Sequence, residues 1–310
     1  MLGVSNPNNA VNYINAVGVG VSGTQNSDNI GDGTSTTDQV ILGFGGADAL
    51  SGGRGLAEEL CGGAGDDVLN LFEGGFISEA DFAAGARPTD NAFGEQGDDV
   101  IVLTSGGLAA QSHYIDGGEG SDHISVTSGD FPNGVSIDLG RGDLQRISSN
   151  ATIQLKSVES AAGAGFADLL TGDGSTNQLF GNGGDDTLNG LGGNDMLFGG
   201  DGYNVVDGGE GVDTIVFTRF AAEASFSRSG DAIRVTTADG ESLVSNVEVF
   251  QFTDQSLSLA EVQAMLPTPS LITLSAVRLD ITLTEADGDR VRTLARSNTS
   301  VTIDSDISDP

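Results

Sequence analysis

The sequence has few of the residues that hold most folded proteins together. It contains no tryptophan, aromatic residues make up only 5% of it, and Cys61 is its single cysteine. One cysteine excludes an intrachain disulfide framework. No apolar run approaches the ~20 residues that a membrane-spanning helix needs. A cleavable N-terminal signal is not expected either, because no basic residue precedes Arg54.

Basic residues are equally scarce. Twelve lysines and arginines face 45 aspartates and glutamates, which gives a formal net charge of -33. Nucleic acids and anionic membrane surfaces are therefore poor partners, because their phosphates would repel the chain. The sequence also has 48 glycines. A chain this acidic and glycine-rich does not stay compact easily, so we expect it to need cations.

What the sequence does have is an internal period. Six consecutive nine-residue units run from Gly163 to Val216, each starting with glycine and each carrying an apolar residue at position 8. Position 6 is Asp168, Asn177, Asp186, Asp195, Asn204 and Asp213. Glycine permits tight turns with positive φ, and the acid supplies a hard oxygen ligand inside the turn. The apolar residue two places later points to the opposite face of a short strand. The period therefore predicts an all-β parallel β-roll with carboxylates along its turns.

These units resemble the GGxGxDxUx repeat of RTX, or haemolysin-type, calcium-binding proteins. The resemblance implies that one coil takes two units and that several calcium ions lie between turns eighteen residues apart. Position-6 side chains and backbone carbonyls would hold each ion. The implied pairs are Asp168/Asp186, Asn177/Asp195, Asp186/Asn204 and Asp195/Asp213. Asn177 and Asn204 depart from the pattern, which leaves the affinity of their sites open.

A less regular block lies earlier in the chain, where an acid is repeatedly followed two places later by an apolar residue. The first five acids are spaced nine or ten residues apart, and two more follow an insertion. They add further predicted calcium ligands: Asp28, Asp38, Asp48, Glu58, Asp67, Asp99 and Asp122. We expect fewer or weaker sites here than in the regular block. About six to eight calcium sites in all is an estimate from the implied pairs and from the stacking of neighbouring coils in a solenoid.

The pattern divides the chain into two β-roll blocks and a C-terminal β-rich cap. Asp239-Gly240 lies between two strand-like segments and predicts a hairpin, and Ser256 or Ser258 would cap a short helix. The predicted segments are 1–70 (N-terminal strand and irregular roll), 71–93 (insertion with one helical turn near 79–84), 94–162 (continued roll with connecting strands), 163–217 (regular roll), 218–266 (cap) and 267–310 (hairpin and acidic tail).

Catalytic motifs are absent from the sequence or lack the context they need. Residues 18–23 match GxGxxG, but no helix or βαβ unit follows them. The zinc-protease motif HExxH and the hydrolase motif GxSxG do not occur. His113 and His123 are the only histidines, and neither has a partner pattern. We therefore expect the protein not to be an enzyme.

Two functions of different classes remain. The first is a secreted structural or surface-associated calcium-binding protein whose partner is a second copy of itself or a cell-surface or matrix component. The second is a non-catalytic RTX accessory module of a secreted epimerase, lipase or protease. The family resemblance implies an extracellular or cell-surface location, reached by type I secretion without a cleaved N-terminal signal.

Overall fold

The structure is a computed structural model that describes residues 19–31, 39–52, 58–71, 90–104, 111–127, 131, 133–149, 151–266, 272–273 and 302–303. These residues are almost entirely strands and turns. The first strands are β1 (Val19–Ser22), β2 (Asn29–Gly31), β3 (Gln39–Gly45), β4 (Ala49–Ser51), β5 (Glu58–Ala64), β6 (Val68–Leu71), β7 (Asp90–Gln96), β8 (Val100–Leu103), β9 (Gln111–Glu119), β10 (His123–Val126), β11 (Ser136–Asp138), β12 (Gln145–Arg146) and β13 (Ala151–Lys156).

The strands then become shorter and more regular. They are β14 (Ser160–Ala162), β15 (Leu169–Thr171), β16 (Gln178–Phe180), β17 (Thr187–Asn189), β18 (Met196–Phe198), β19 (Gly202–Asp207) and β20 (Thr214–Val216). The remaining elements are a 3-10 turn (Ala221–Glu223), β21 (Ser225–Ser229), β22 (Ala232–Thr236), β23 (Gly240–Ser245), β24 (Val249–Gln251), β25 (Ser256–Ser258), helix α1 (Leu259–Met265), β26 (Ile272–Thr273) and β27 (Thr302–Ile303).

From β1 to β10 and from β14 to β20, successive strands alternate between two faces, as a coil of two strands per turn requires. One face is an eleven-stranded sheet in the order β2-β4-β6-β8-β10-β14-β16-β18-β20-β24-β25. The other face is β1-β3-β5-β7-β9-β13-β12 in the N-terminal half and β11-β15-β17-β19-β23-β22-β21 in the C-terminal half. The predicted parallel β-roll with its β-rich cap is confirmed. The two predicted blocks share the eleven-stranded sheet and so form one roll.

A ladder of apolar side chains fills the inside of the eleven-stranded sheet. Its members lie in register and are all buried: Ile30, Leu50, Leu69, Ile101, Ile124, Ala161, Leu179, Leu197, Ile215 and Phe250. Each fully buried Leu or Ile contributes about 1.5–3 kcal/mol relative to an exposed one. The alternation of inward and outward side chains fixes the register, because a slip of one residue would expose the whole ladder.

The last coils are closed by antiparallel pairing. β22 and β23 pair across Asp239-Gly240, and β25 pairs with β24. Helix α1 begins after Ser258, whose hydroxyl accepts the Glu261 N–H, while the Glu261 carboxylate accepts the Ser258 N–H at 2.8 Å. This reciprocal capping box confirms the second of the two predicted caps. No described helix is long and apolar enough to cross a membrane.

The N-terminal register differs from the prediction at one point. The acid-x-apolar spacing points to Val40, two places after Asp38, but on the other face it is the fully buried Ile41 that pairs with Leu60, because of the register of β3 with β5. The segment predicted as an insertion is strand at both ends, where β6 reaches Leu71 and β7 begins at Asp90. The described residues do not include the predicted helical turn near 79–84, Asp38, residues 1–18 or most of residues 267–310.

Candidate metal centre along the turns of the roll

Ten turns lead into the eleven-stranded sheet, and each of them ends in an oxygen-bearing side chain directly before a strand. We call this edge of the roll, with all ten of its side chains, the carboxylate row. Its members are Asp28, Asp48, Asp67, Asp99, Asp122, Glu159, Asn177, Asp195, Asp213 and Glu248. Asp168, Asp186 and Asn204 occupy the same position on the opposite edge, beside β15, β17 and β19.

One hydrogen bond repeats from turn to turn along both edges. In it, the backbone N–H of the residue at position 6 donates to the Oδ1 atom of the position-6 residue in the next turn on the same side. Asp195, for example, receives the Asn177 N–H and donates its own to Asp213, both at 2.8 Å. The same bond links all four pairs that the family resemblance implied. It also links the N-terminal turns from Asp28 to Asp122.

The second oxygen of most of these carboxylates points into the turn without a hydrogen bond. Oδ2 is buried and has no partner within the described part of the chain in seven of them: Asp48, Asp67, Asp99, Asp122, Asp186, Asp195 and Asp213. We call these the open carboxylates. A buried acceptor without a donor costs about 1–3 kcal/mol, and more when it is charged. Seven such oxygens at the same position of their turns are too many to be accidental and indicate that a cation completes the turns.

Backbone carbonyls line the same spaces. A Cβ placed on the position-1 glycine of an open turn would overlap both the Asp Oδ2 of that turn and the first carbonyl of the next turn. At Gly190 these atoms belong to Asp195 and Gly208, and at Gly94 to Asp99 and Gly117. Carboxylate and carbonyl oxygens are the ligands that calcium takes in proteins. The turns therefore fit Ca²⁺, with the carboxylate and the glycine carbonyl as its holders. No group of three or more His, Cys, Asp or Glu side chains suited to a metal occurs in the described ranges, so backbone carbonyls would supply the remaining ligands.

Four predicted ligands use their side chains on their own turn instead. The Oδ2 atom of Asp28 accepts the Thr24 N–H at 2.6 Å, and that of Asp168 accepts the Ala164 N–H at 2.7 Å. Asn177 Oδ1 accepts the Asp173 N–H at 2.7 Å, and Asn204 donates its amide to a carbonyl of its turn at 3.2 Å. We call these closed turns. Their polar atoms are satisfied without an ion.

A glycine at position 4 separates the two kinds of turn. Every open turn has positive φ at positions 2 and 4, as in Gly209 (102°) and Gly211 (141°). The closed turns before Asp28, Asp168 and Asn177 have no positive φ, and their position 4 is not glycine. Position 2 tolerates other residues, for example Leu191 at 74°. The turn before Asn204 has the positive φ of an open turn, at Gly200 and Gly202, but it is closed because asparagine has an amide in place of the second carboxylate oxygen. The missed signal was thus a combination, glycine at position 4 with aspartate at position 6.

Burial raises the pKa of six open carboxylates. Desolvation, followed by the charges of neighbouring acids, raises the pKa of Asp99 to about 7 and that of Asp67, Asp122, Asp186 and Asp195 to about 6. The pKa of Asp213 is raised for the same reasons. Without a cation, the folded turns therefore favour protonated acids. A bound divalent ion would reverse this preference.

Among the predicted ligands of the N-terminal half, Glu58 does not join the carboxylate row. Glu58 begins β5 on the opposite face, where its backbone pairs with Gln39, because the nine- and ten-residue spacing of the acids alternates between the two edges. Asp38 lies outside the described residues. Sequence reasoning also missed Glu159 and Glu248, which end two turns outside the repeats and accept the backbone N–H of Asp122 and Asp213.

The histidines lie apart from the turns. His113 is buried inside the roll with its Nδ1 atom 3.5 Å from Asp90 Oδ2, and burial lowers its pKa to about 4. His123 lies on the outer side of β10, where its Nδ1 atom and the Ser160 hydroxyl are 2.7 Å apart. Its ring packs edge-on against Phe180. Neither histidine contributes to the carboxylate row.

The comparisons with known proteins agree with this geometry. Residues 162–197 and 189–219 match the family model of the RTX calcium-binding nonapeptide repeat, which comprises four copies. This part of the chain is an RTX calcium-binding repeat. The match covers the turns from Gly163 to Asp213, and the N-terminal turns ending at Asp48, Asp67, Asp99 and Asp122 share the open geometry of the RTX segment without being matched.

The chain was also compared with solved structures and with curated proteins. The chain is similar to the extracellular lipase LipA from Serratia marcescens, with 16% identity and a TM-score of 0.22. The similarity covers 75% of this chain and 40% of the lipase chain, so this chain spans less than half the length of that protein. No curated protein sequence matches the chain.

Proposed function

We propose that the protein is a secreted structural or surface-associated protein that folds when its turns bind extracellular calcium. The observation that carries this proposal is the set of seven buried carboxylate oxygens without partners along the turns. The family match supports calcium as the ion, and the parallel β-roll supplies the scaffold that stacks the turns.

Calcium binding and folding are coupled in this proposal. In the unfolded chain the acids are solvated and apart, while the folded turns bring them into a buried row with a large negative charge. Each ion neutralises part of that charge and ties one turn to the next. Its binding free energy is therefore folding free energy. Extracellular calcium modules bind in the ~0.1–1 mM range, which suits folding after export.

The remaining parts of the proposal follow from the same features. We place the protein outside the cell or at its surface, exported by type I secretion, because its repeats suit calcium concentrations found there. We assign it no catalytic activity, since the acids of the described turns are arranged as metal ligands. Its partner would be a further copy of itself or a component of the surface or matrix.

Ion counting under native mass spectrometry tests this function. The chelator-stripped protein should take up about seven calcium ions in a narrow range of concentration, and magnesium at the same concentration should not replace them. Uptake of one or no ion, or equal uptake of magnesium, would contradict the proposal.

A further inference from the structure

Two turns outside the repeats have the same unusual construction. Ser157-Val158-Glu159 joins β13 to β14, and Asn246-Val247-Glu248 joins β23 to β24. Both are shorter than a repeat turn, and both begin with a residue at φ 49°. Both bury their central valine, which is 5% exposed in one turn and 2% in the other.

Each of these short turns follows the last open turn of a stack. The Glu159 carboxylate accepts the Asp122 N–H at 2.9 Å, and the Glu248 carboxylate accepts the Asp213 N–H at 2.8 Å. This is the bond that the next aspartate makes inside the repeats. Glutamate thus replaces aspartate at the position where the turn is shorter, and its extra methylene lengthens the reach of the carboxylate.

The environment of a metal site is present at both places. The Oδ2 atoms of Asp122 and Asp213 are buried, and neither has a hydrogen-bond partner in the ranges that the structure describes. A Cβ placed on Gly117 would overlap Asp122 Oδ2 and the carbonyl oxygen of Ser157. A Cβ placed on Gly208 would meet Asp213 Oδ2 and the carbonyl oxygen of Asn246 in the same way. The carbonyls of Ser157 and Asn246 thus take the place that the position-1 glycine carbonyl of the next turn has inside the repeats.

We propose that each short turn completes a terminal calcium site beyond the repeats. Asp122 with the Ser157 carbonyl and Glu159 would hold one ion, and Asp213 with the Asn246 carbonyl and Glu248 the other. This inference rests on the proposed function, because it takes the interior turns to bind calcium. The last open aspartate of each stack is neutralised in this way although no repeat follows it.

The position of the two sites in the roll supports a closing role. The turn after Glu159 on the same edge ends at Asn177 and is closed by the Asp173 N–H. After Glu248 the sheet continues only with the antiparallel strand β25. The two glutamates therefore lie where a stack of open turns ends, and each would bind the final ion of its stack.

The test compares two double variants by native mass spectrometry across a calcium titration. In Glu159→Gln/Glu248→Gln the amide oxygens can still accept the Asp122 and Asp213 N–H groups, but both charges are lost. Glu119→Gln/Glu210→Gln is the matched control, because both of its glutamates are exposed and lie outside the carboxylate row. We expect the control to bind as many ions as the parent and the first variant to bind two fewer, or to bind its last two at least tenfold more weakly.

The outcomes separate this inference from the function on which it rests. Equal ion counts and affinities in the two double variants, with a parent that binds calcium, would overturn the terminal sites alone. A parent that binds no calcium would overturn the proposed function. If the first variant does not fold, anomalous scattering from crystals of the calcium-loaded parent decides. An ion beside the carbonyls of Ser157 and Asn246 would support the inference, and ions at interior turns only would refute it.

Discussion

Replacing Asp195 by asparagine separates the cost of an open carboxylate from the benefit of the ion it holds. The change keeps an oxygen that can accept the Asn177 N–H, and it puts an amide where the buried Oδ2 atom lies. Asn204 shows that the roll accepts this arrangement, because its amide donates to the Gly200 carbonyl at 3.2 Å. The variant therefore removes one buried charge without deleting a side chain.

The expected change in the free energy of unfolding differs between the calcium-free and the calcium-bound protein. Without calcium, the variant should be more stable than the parent by about 1–3 kcal/mol, the cost of a buried acceptor without a partner. With calcium at ~10 mM and a dissociation constant of ~0.1–1 mM, one lost site removes about 1.4–2.7 kcal/mol of stabilisation. The two changes nearly cancel in calcium, so the clear signals are a stabler calcium-free protein and a smaller gain when calcium is added.

Urea unfolding followed by circular dichroism, in chelator and in calcium, measures both quantities. We would work at about pH 8, where the Asp195 carboxyl with its pKa of about 6 is ionised, and add trimethylamine oxide if the calcium-free parent is unfolded. Asp231→Asn is the control, since it removes the same charge from an exposed turn of the cap. A calcium-free Asp195→Asn protein that is less stable than the parent, or one with an undiminished calcium increment, would refute the reasoning.

Three further predictions concern the turns, the pH and the core. Gly211→Ala should lower the free energy of unfolding in urea by more than ~2 kcal/mol, because φ is 141° there and the new Cβ would overlap the Gly193 carbonyl. Gly183→Ala, with open space around it, should lower it by less than ~0.5 kcal/mol. Equal losses would contradict the assignment of the turn. The calcium-free protein should lose stability as the pH rises from about 4 to 7, because the raised pKa values, about 7 for Asp99, make the folded state bind more protons than the unfolded state. A β content that increases with pH in chelator would contradict this. Leu197→Ala should cost about 2–5 kcal/mol because the side chain is fully buried in the ladder, and a loss near zero would show that the ladder is not packed as described.

The regular half of the fold was predictable because its nine-residue period determines which residues turn, which point inward and which strands pair. Glycine, acid and apolar residues recur at fixed positions, and the structure pairs the acids eighteen residues apart as the family resemblance implied. The N-terminal half was less predictable, since its longer turns let the spacing vary. The spacing from Asp38 pointed to Val40 as the inward residue, but the register of β3 with β5 places Ile41 opposite Leu60.

The difference between open and closed turns could not be reached from the acids alone. Asp28 and Asp168 have the same residue type as Asp195, but they satisfy their second oxygen on their own turn. The deciding feature is the backbone: with glycine at position 4 the turn takes positive φ and leaves Oδ2 without a donor, whereas the closed turns donate one of their own N–H groups to it. Glu159 and Glu248 were missed because they lie outside the period, and only the stacking of strands brings each of them next to the last open turn of a stack.

Far-UV circular dichroism during a calcium titration of the chelator-stripped protein tests the central claim most directly, with magnesium as the control. If the open carboxylates make folding depend on calcium, the spectrum should change steeply from coil to β at ~0.1–1 mM calcium and not respond to magnesium. A β spectrum that stays the same in chelator, calcium and magnesium would show that the roll folds by packing alone, and would contradict the role assigned to the carboxylate row.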